Sequence, residues 1–372
     1  MTRVAFITNL CPHYRRPLFE LLAQRFDIDF YFHSVGDERY WSRQLQATSG
    51  SFTQVELRRI RLLGQPLLPG LATRLTRDRY DVVVKCLNGR LMVPYVFGLA
   101  RARHLPIVLW TGMWYHPQTI AHRLTAPLTR GVYRAADAIV VYGTHVERYL
   151  AAEGVDPAKI FVAGQAVSDA GLVSLAPERS SPFVLFVGQL ENRKGIRDLL
   201  SAFSRLPAYA RLRIVGSGSL DGLVCEAARC NPRIEVAGHV PPAGVADEFS
   251  RARCLVLPSV TTATDKETWG LVVNEAMAAG LPVVTTEAVG AAAGGLVVDG
   301  RNGFVVRERD PVALAAALSR LFSDPRLATE LGEQARIDVS AFTYARMADA
   351  FSTAIDRALA TKAPLHGAQR AA

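Results

Sequence analysis

Cysteine is scarce in this chain: Cys11, Cys86, Cys225, Cys230 and Cys254 are five in 372 residues, and none forms a C-x-x-C pair. An odd count without paired spacing excludes a disulfide-stapled scaffold or a zinc knuckle and fits reduced thiols in a cytoplasmic protein. Long apolar runs are missing too. No stretch reaches the roughly 20 residues that span a bilayer, and a strand begins at the third residue without the apolar core of a signal peptide, so any membrane contact is expected to be peripheral. Solenoid-period repeats are absent, as are zinc-finger spacing and the aromatic signature of RNA-binding sheets, which argues against nucleic acid. Acidic residues are what the first half lacks. Residues 1–175 hold 21 Lys+Arg against 13 Asp+Glu, a net of +8, while residues 176–372 hold 22 against 21, a net of +1.

The excess of cations is clustered. Arg15 and Arg16, then Arg58, Arg59 and Arg61, then Arg74, Arg77 and Arg79 lie beside Leu62, Leu63, Leu67, Leu68 and Leu71. Such a stretch suits an anionic bilayer, where each basic residue near the surface adds roughly 1 kcal/mol; an arginine-rich solvated face is the alternative.

What is present is an alternation of strand and helix signals along the whole chain, which at this length indicates an α/β protein of two domains rather than a barrel or sandwich. The hydrophobic period lapses between Val167 and Pro182, where Ser, Pro and Gly gather, and this is the expected boundary. Residues 342–360 read as a last helix, and the chain after Thr361 as a loose tail.

The chemistry concentrates in the second half. In ETWGLVVNEAMAAGLPVV, Glu267 and Glu275 are separated by seven residues with a helix start near Gly270 between them. Glu267 then lies on the loop before the helix and Glu275 one to two turns in, so both can face one ligand, with the amides of Trp269, Gly270 and Leu271 turned toward an anion. Upstream, FVLFVGQLENRKGIRDLL reads as a strand Phe183–Val187, a turn at Gly188, and a loop carrying Gln189, Arg193 and Lys194 into a helix near Gly195. RLRIVGSGSL is a strand over 211–215 running into Gly216 and Gly218, where missing side chains admit a backbone to a ligand. RIEVAGHV ends at Gly238, and CLVLPS stops at Pro258. Gly294, Gly295 and the turn through Asn302 and Gly303 complete a series of glycines at strand ends, where open α/β sheets bind ligands. In the first half, Asp27-Ile-Asp29 has metal-binding spacing but reads better as the start of the strand FDIDFYF.

These motifs, from about Phe183 to Val306, resemble the retaining GT-B glycosyltransferases of family 4. That family shares the glycine-and-cation loop ending in KG, the G-x-G turn, the P-S strand end, the E-x7-E helix and the trailing G-x-P-V-V, GG and DG-x-N-G string. The first half is only loosely similar, through NLCPHYRRPLFELLAQ and RAADAIVVYGTHVERYL, the latter resembling the last strand and helix of the N-terminal domain. The resemblance implies two Rossmann-like α/β/α domains facing a central cleft: residues 1–170 for the acceptor, 183–340 for the nucleotide-sugar donor, and a helix over 342–361 crossing back to the first domain. It implies transfer of a sugar from a UDP- or GDP-sugar to the hydroxyl of a glycan, a lipid-linked glycan or a small molecule, with retention, without cofactor and without metal. Lys194, Glu267 and His116 are its candidate catalytic residues. Gly188, Gln189, Arg193, Gly216, Gly218, Gly238, Trp269, Gly270, Leu271 and Glu275 join Lys194 and Glu267 around the donor, and His13, Arg15 and Arg16 are acceptor-side candidates, His13 being an alternative to His116. One departure stands out: the family commonly carries Arg where this chain has Gln189, so Arg193 must compensate or the chain is a noncatalytic GT-B partner subunit. A GT-B nucleotide-sugar epimerase is the other alternative.

Overall fold

The computed structural model describes residues 1–34, 37–38, 41–42, 50–62, 64–88, 91–168, 172 and 181–361. Runs such as Val4–Ile7, Val82–Val84 and Cys254–Leu257 are buried throughout, as expected of strands covered on both faces in a parallel sheet. Two such sheets form. The first contains β1 (Arg3–Thr8), β2 (Asp27–Phe32), β3 (Thr53–Gln54), β4 (Val82–Cys86), β5 (Ile107–Thr111), β6 (Ala138–Val141) and β7 (Ile160–Val162), in the order β7-β6-β5-β4-β1-β2-β3. The second contains β8 (Phe183–Val187), β9 (Arg211–Val215), β10 (Ile234–Gly238), β11 (Cys254–Leu257), β12 (Val283–Thr286) and β13 (Gly303–Val306), in the order β10-β9-β8-β11-β12-β13. All the pairings within these two sheets are parallel.

Each order reverses once, at β1/β4 in the first sheet and at β8/β11 in the second. Loops leaving neighbouring strands at such a reversal run to opposite faces of the sheet, which opens a crevice at the carboxyl ends.

Four helices frame these crevices and close the first core: α1 (Arg16–Arg25), α2 (Ile120–Ala135), α3 (Leu271–Ala278) and α4 (Tyr344–Ala360). Thr119 caps α2 and Thr343 caps α4, each side-chain oxygen accepting an N–H of the first turn. In α4, Met347, Ala348, Phe351, Ala354, Ile355 and Ala358 form one buried stripe. That stripe packs on α1 and the first sheet, with the Phe351 ring 5.2 Å from Trp110 and 5.9 Å from Phe6. The last helix in sequence thus completes a core begun by the first strand; emptying a buried Phe site of this kind costs about 3–5 kcal/mol.

Two readings change. β7 follows the strand and helix of RAADAIVVYGTHVERYL, so that pair is not the last of its sheet; with three residues on an edge, β7 is too short to leave a periodic signal. Leu68 and Leu71 are buried in the first core instead of lying beside the arginines, while Leu63 falls outside the described residues. Most of the 167–182 boundary also falls outside them. All five cysteines are free, and among the described residues no helix is long and apolar enough to cross a membrane.

Candidate functional site

At the β8/β11 reversal, the loop after β8 ends in a 3-10 turn, Asn192–Lys194, and the loop after β11 descends to Glu267. The two loops touch closely. Gly195 has φ 67°, and a Cβ there would lie 1.8 Å from Pro258 O, so only glycine fits. Val260 N donates to Arg193 O at 2.8 Å, tying the loops together through the main chain.

This seam brings the side chains into one network. Lys194 Nζ donates to Glu267 Oε2, Arg193 Nη1 reaches the same oxygen at 3.4 Å, and Ser259 Oγ donates to it at 3.2 Å. Arg193 is also held by Glu191 Oε2 at 3.0 Å and by Gln189 Oε1 at 2.6 Å. Burial pushes the Glu267 carboxyl up, but Lys194, Arg193 and their hydrogen bonds outweigh it and hold the group below its ordinary range. Glu267 is therefore an ionised acceptor beside two cations.

Gly270, at φ 90°, caps α3, so the first amides of that helix begin immediately after Glu267. Glu275 sits in the second turn, half-buried, and among the described residues its carboxylate has no hydrogen bond or ion pair. Burial alone raises its carboxyl to about 7. The Trp269 side chain goes elsewhere: it is in the core, and its Nε1 donates to Asn274 Oδ1 at 2.7 Å. Gly216 and Gly218 serve the protein's own packing, since a Cβ on Gly216 would meet Gly188 O at 1.9 Å and one on Gly218 would meet Leu190 O at 2.5 Å. Gly238 has φ 68° with open space beside it.

The first sheet contributes the facing wall. The loop after β5 docks on the Thr262–Glu267 loop: Trp114 Nε1 donates to Glu267 O at 2.9 Å, Tyr115 OH to Thr262 O at 2.9 Å, and Gln118 N to Ala263 O at 2.7 Å. Lys266 Nζ lies 3.7 Å above the Trp114 ring, a cation–π contact. His116 shares this loop but turns Nε2 to the His122 carbonyl, 2.9 Å away. His145 Nε2 is 3.1 Å from Thr268 O, and its burial lowers the imidazole to about 4.

Of the acceptor-side candidates, His13 is exposed with its ring against Tyr14, and Arg16 is exposed beside Glu20. Arg15 is buried. Its guanidinium lies 4.6 Å from the Trp110 ring centroid and 5.4 Å from Tyr14 and Tyr142, and donates to Gln165 Oε1. Asp27 and Asp29 lie at the opposite, amino end of β2, where Asp29 accepts from Tyr80 OH. Among the described residues, no three His, Cys, Asp or Glu side chains gather as metal ligands.

The structure thus gathers Gln189, Arg193, Lys194 and Glu267, places Glu275 on the helix beyond, and leaves His13, His116 and Arg16 apart from that network. Trp114, Tyr115 and Gln118 carry no sequence signal, because their partners are main-chain carbonyls more than 140 residues away.

Residues 181–324 match the family described as Glycosyl transferases group 1, less than half of the chain. A D-inositol 3-phosphate glycosyltransferase of Xylanimonas cellulosilytica is 32% identical over 243 residues, 60% of this chain and 55% of that protein. A glycogen synthase of Mycobacterium tuberculosis is 32% identical over 166 residues, 43% of this chain and 38% of its own length. The chain spans about half the length of the curated relatives it matches. Among solved structures, Anabaena HepE in complex with UDP superposes with a TM-score of 0.75 at 15% identity over 96% of this chain and 100% of that one. Sucrose-phosphate synthase from Thermosynechococcus elongatus superposes with a TM-score of 0.73 at 21% identity, over 97% and 100%. These likenesses show the fold, which is GT-B: two Rossmann-like α/β/α units.

Proposed function

From residues 181–324 that match the group 1 glycosyl transferases and a fold that is GT-B, we propose that the protein is a glycosyltransferase that moves a sugar from a nucleotide-sugar donor to an acceptor hydroxyl. Residues 1–170 take the acceptor, 183–340 the donor, and 342–361 return to the first unit. The observation that carries the reading is the convergence of Lys194 and Arg193 on Glu267 at the β8/β11 reversal, in front of α3.

Breaking the bond between an anomeric carbon and a diphosphate leaves negative charge on the phosphate and an oxocarbenium-like sugar. Lys194, Arg193 and the first amides of α3 meet the phosphate charge. Ionised Glu267 accepts from sugar hydroxyls, and Glu275 from those of the ribose, exchanging an unpaired burial for hydrogen bonds. The reading is of retention without metal, the charge being met by fixed cations and a helix terminus. Gln189 supports Arg193 through its side-chain oxygen, which favours compensation over a noncatalytic subunit. His116 stays a catalytic candidate through its second ring nitrogen.

A panel of nucleotide sugars, read by thermal shift and by slow donor hydrolysis in EDTA, tests this. One UDP- or GDP-sugar should raise the melting temperature and be hydrolysed. A shift without hydrolysis would support the noncatalytic subunit, and hydrolysis only with added Mg²⁺ or Mn²⁺ would overturn the metal-free mechanism.

Contact with an anionic membrane, where a lipid-linked acceptor would be presented, has its own support. Ile120, Leu124 and Leu128 repeat every fourth residue on α2 and are 78%, 77% and 58% exposed. Ile60 and Leu62 are exposed beside Arg58 and Arg61. Flotation with anionic vesicles should recover the protein at low salt and lose it as salt screens the attraction; equal recovery on neutral vesicles would sink the idea.

A further inference from the structure

The β1/β4 reversal lies in the first sheet, opposite the donor site, and its crevice is lined by groups that donate hydrogen bonds. Thr8 and Asn9 lie at the carboxyl end of β1, Lys85, Cys86 and Asn88 at that of β4, and His33 just beyond β2. Asn88 Nδ2 donates to Asn9 Oδ1 at 2.9 Å, and Lys85 Nζ to Asn88 Oδ1 at 3.0 Å. The Asn9 acceptor is thereby occupied, while its Nδ2, on a residue 4% exposed, has no partner.

Arg15 presents a second buried donor without an acceptor. It is 6% exposed, its Nη1 has no partner, and among the described residues it forms no ion pair. Cys86 joins the two places: burial raises its thiol, while Lys85 and Arg15 are both close enough to oppose that rise. Buried donors left unpaired cost about 1–3 kcal/mol each, more when charged, and native proteins keep few of them. Two on one βα loop, one cationic, at the reversal where open sheets bind ligands, call for an oxygen-rich anion.

We propose that the β1/β4 crevice binds an anionic group of the acceptor, a phosphate or similar oxyanion, through the unpaired donors of Asn9 and Arg15, with the Lys85 ammonium, already bonded to Cys86 O, Asn88 O and Asn88 Oδ1, supplying charge behind them. The inference rests on the glycosyltransferase reading only in naming that ligand the acceptor; the anion site itself does not depend on it. The acceptor is then a phosphorylated sugar or polyol, or a lipid-linked phosphate, and not a neutral glycan end.

Full-length protein loaded with saturating UDP, so that the donor side is occupied, is titrated calorimetrically with inorganic phosphate. The wild type should bind it, and Asn9→Asp should weaken binding by at least about tenfold, the loss expected for a charge-assisted contact. That substitution keeps the volume and removes no hydrogen bond, because Nδ2 makes none. Arg15→Met, which keeps the packing against Trp110 while removing the unpaired cationic donor, is the second variant should Asn9→Asp fold poorly, with the same loss expected, and UDP affinity should stay unchanged in both. Phosphate bound equally by wild type and a folded variant, or not bound by UDP-loaded wild type, overturns the proposal while the donor reading stands. Failure of UDP to bind strikes the donor reading, and the phosphate titration without UDP still decides this one. A sugar monophosphate in solution against vesicles containing phosphatidic acid then separates a soluble acceptor from a lipid-linked one.

Discussion

The two sheets reverse their strand order at equivalent places, and the loops at the two reversals balance charge in opposite ways. At β8/β11, Arg193 and Lys194 are paired with Glu191 and Glu267. At β1/β4, Arg15 lies among aromatic rings and makes no ion pair within the described residues. The first arrangement is complete in the free protein and would exchange partners on binding the donor diphosphate proposed above. The second keeps two buried donors, Asn9 Nδ2 and Arg15 Nη1, without an internal acceptor. The same contrast appears in composition, with a net of +8 in residues 1–175 against +1 in the remainder.

Removing a cation from the paired side is the harshest way to test that contrast. Lys194→Ala should lower turnover by about 10²–10³-fold, or roughly 2.7–4 kcal/mol, the scale for deleting one donor to a developing anion. A steady-state assay with the donor identified in the panel measures it, and a loss below tenfold would mean that Arg193 alone carries the charge.

Glu275 comes next, because it is the carboxylate on the paired side that lacks a pair. Its folded value of about 7 exceeds the ordinary 4.5, so the native state binds the proton more tightly than the unfolded chain. Its contribution is fully present below pH 4.5 and is lost as pH rises toward 7, on the order of 3 kcal/mol across that window. Glu275→Gln should flatten this part of the stability profile, read as urea midpoints at the two ends of the window. Ribose hydroxyls donating to the carboxylate would lower its pKa, so donor binding near neutral pH should release a proton, measurable by calorimetry in buffers of different ionisation enthalpy. An unchanged profile in the variant would show that the carboxylate is solvated.

The smallest effect concerns Gln189. Gln189→Ala removes one hydrogen bond to Arg193, worth about 1 kcal/mol, so donor KM should rise about fivefold with little change in kcat. A fall in kcat alone would place Gln189 on the reacting centre instead of behind Arg193.

Much of the second sheet was legible. The strands Phe183–Val187 and 211–215 agree with the structure to the residue, because an apolar or alternating run ending in glycine has few alternatives in a parallel sheet. The start of α3 after Gly270 was legible because a residue at φ 90° must be glycine or bear strain. The sequence also ranked Lys194, Arg193 and Glu267 together, and they meet in space. The first half yielded less. Leu68 and Leu71 read as neighbours of an arginine surface, but a four-residue helix, Leu71–Arg74, turns that segment into the core. Asn9 and Arg15 share the NLCPHYRR segment, and Arg15 was an acceptor-side candidate, but Lys85 comes from another strand, so their meeting was not legible.

By itself, the sequence determined which segments are strands and helices where burial on both faces or a glycine at positive φ left one solution, and it determined that the halves differ in charge. Tertiary structure alone decided that the last helix fills the first core, that Trp114 reaches the main chain of Glu267, and that two donors at β1/β4 face no acceptor. Local rules act over the few residues of a turn or a strand. Contacts such as that of Trp114 with Glu267, 153 positions apart, depend on how the sheets reverse and meet, which no window of sequence contains.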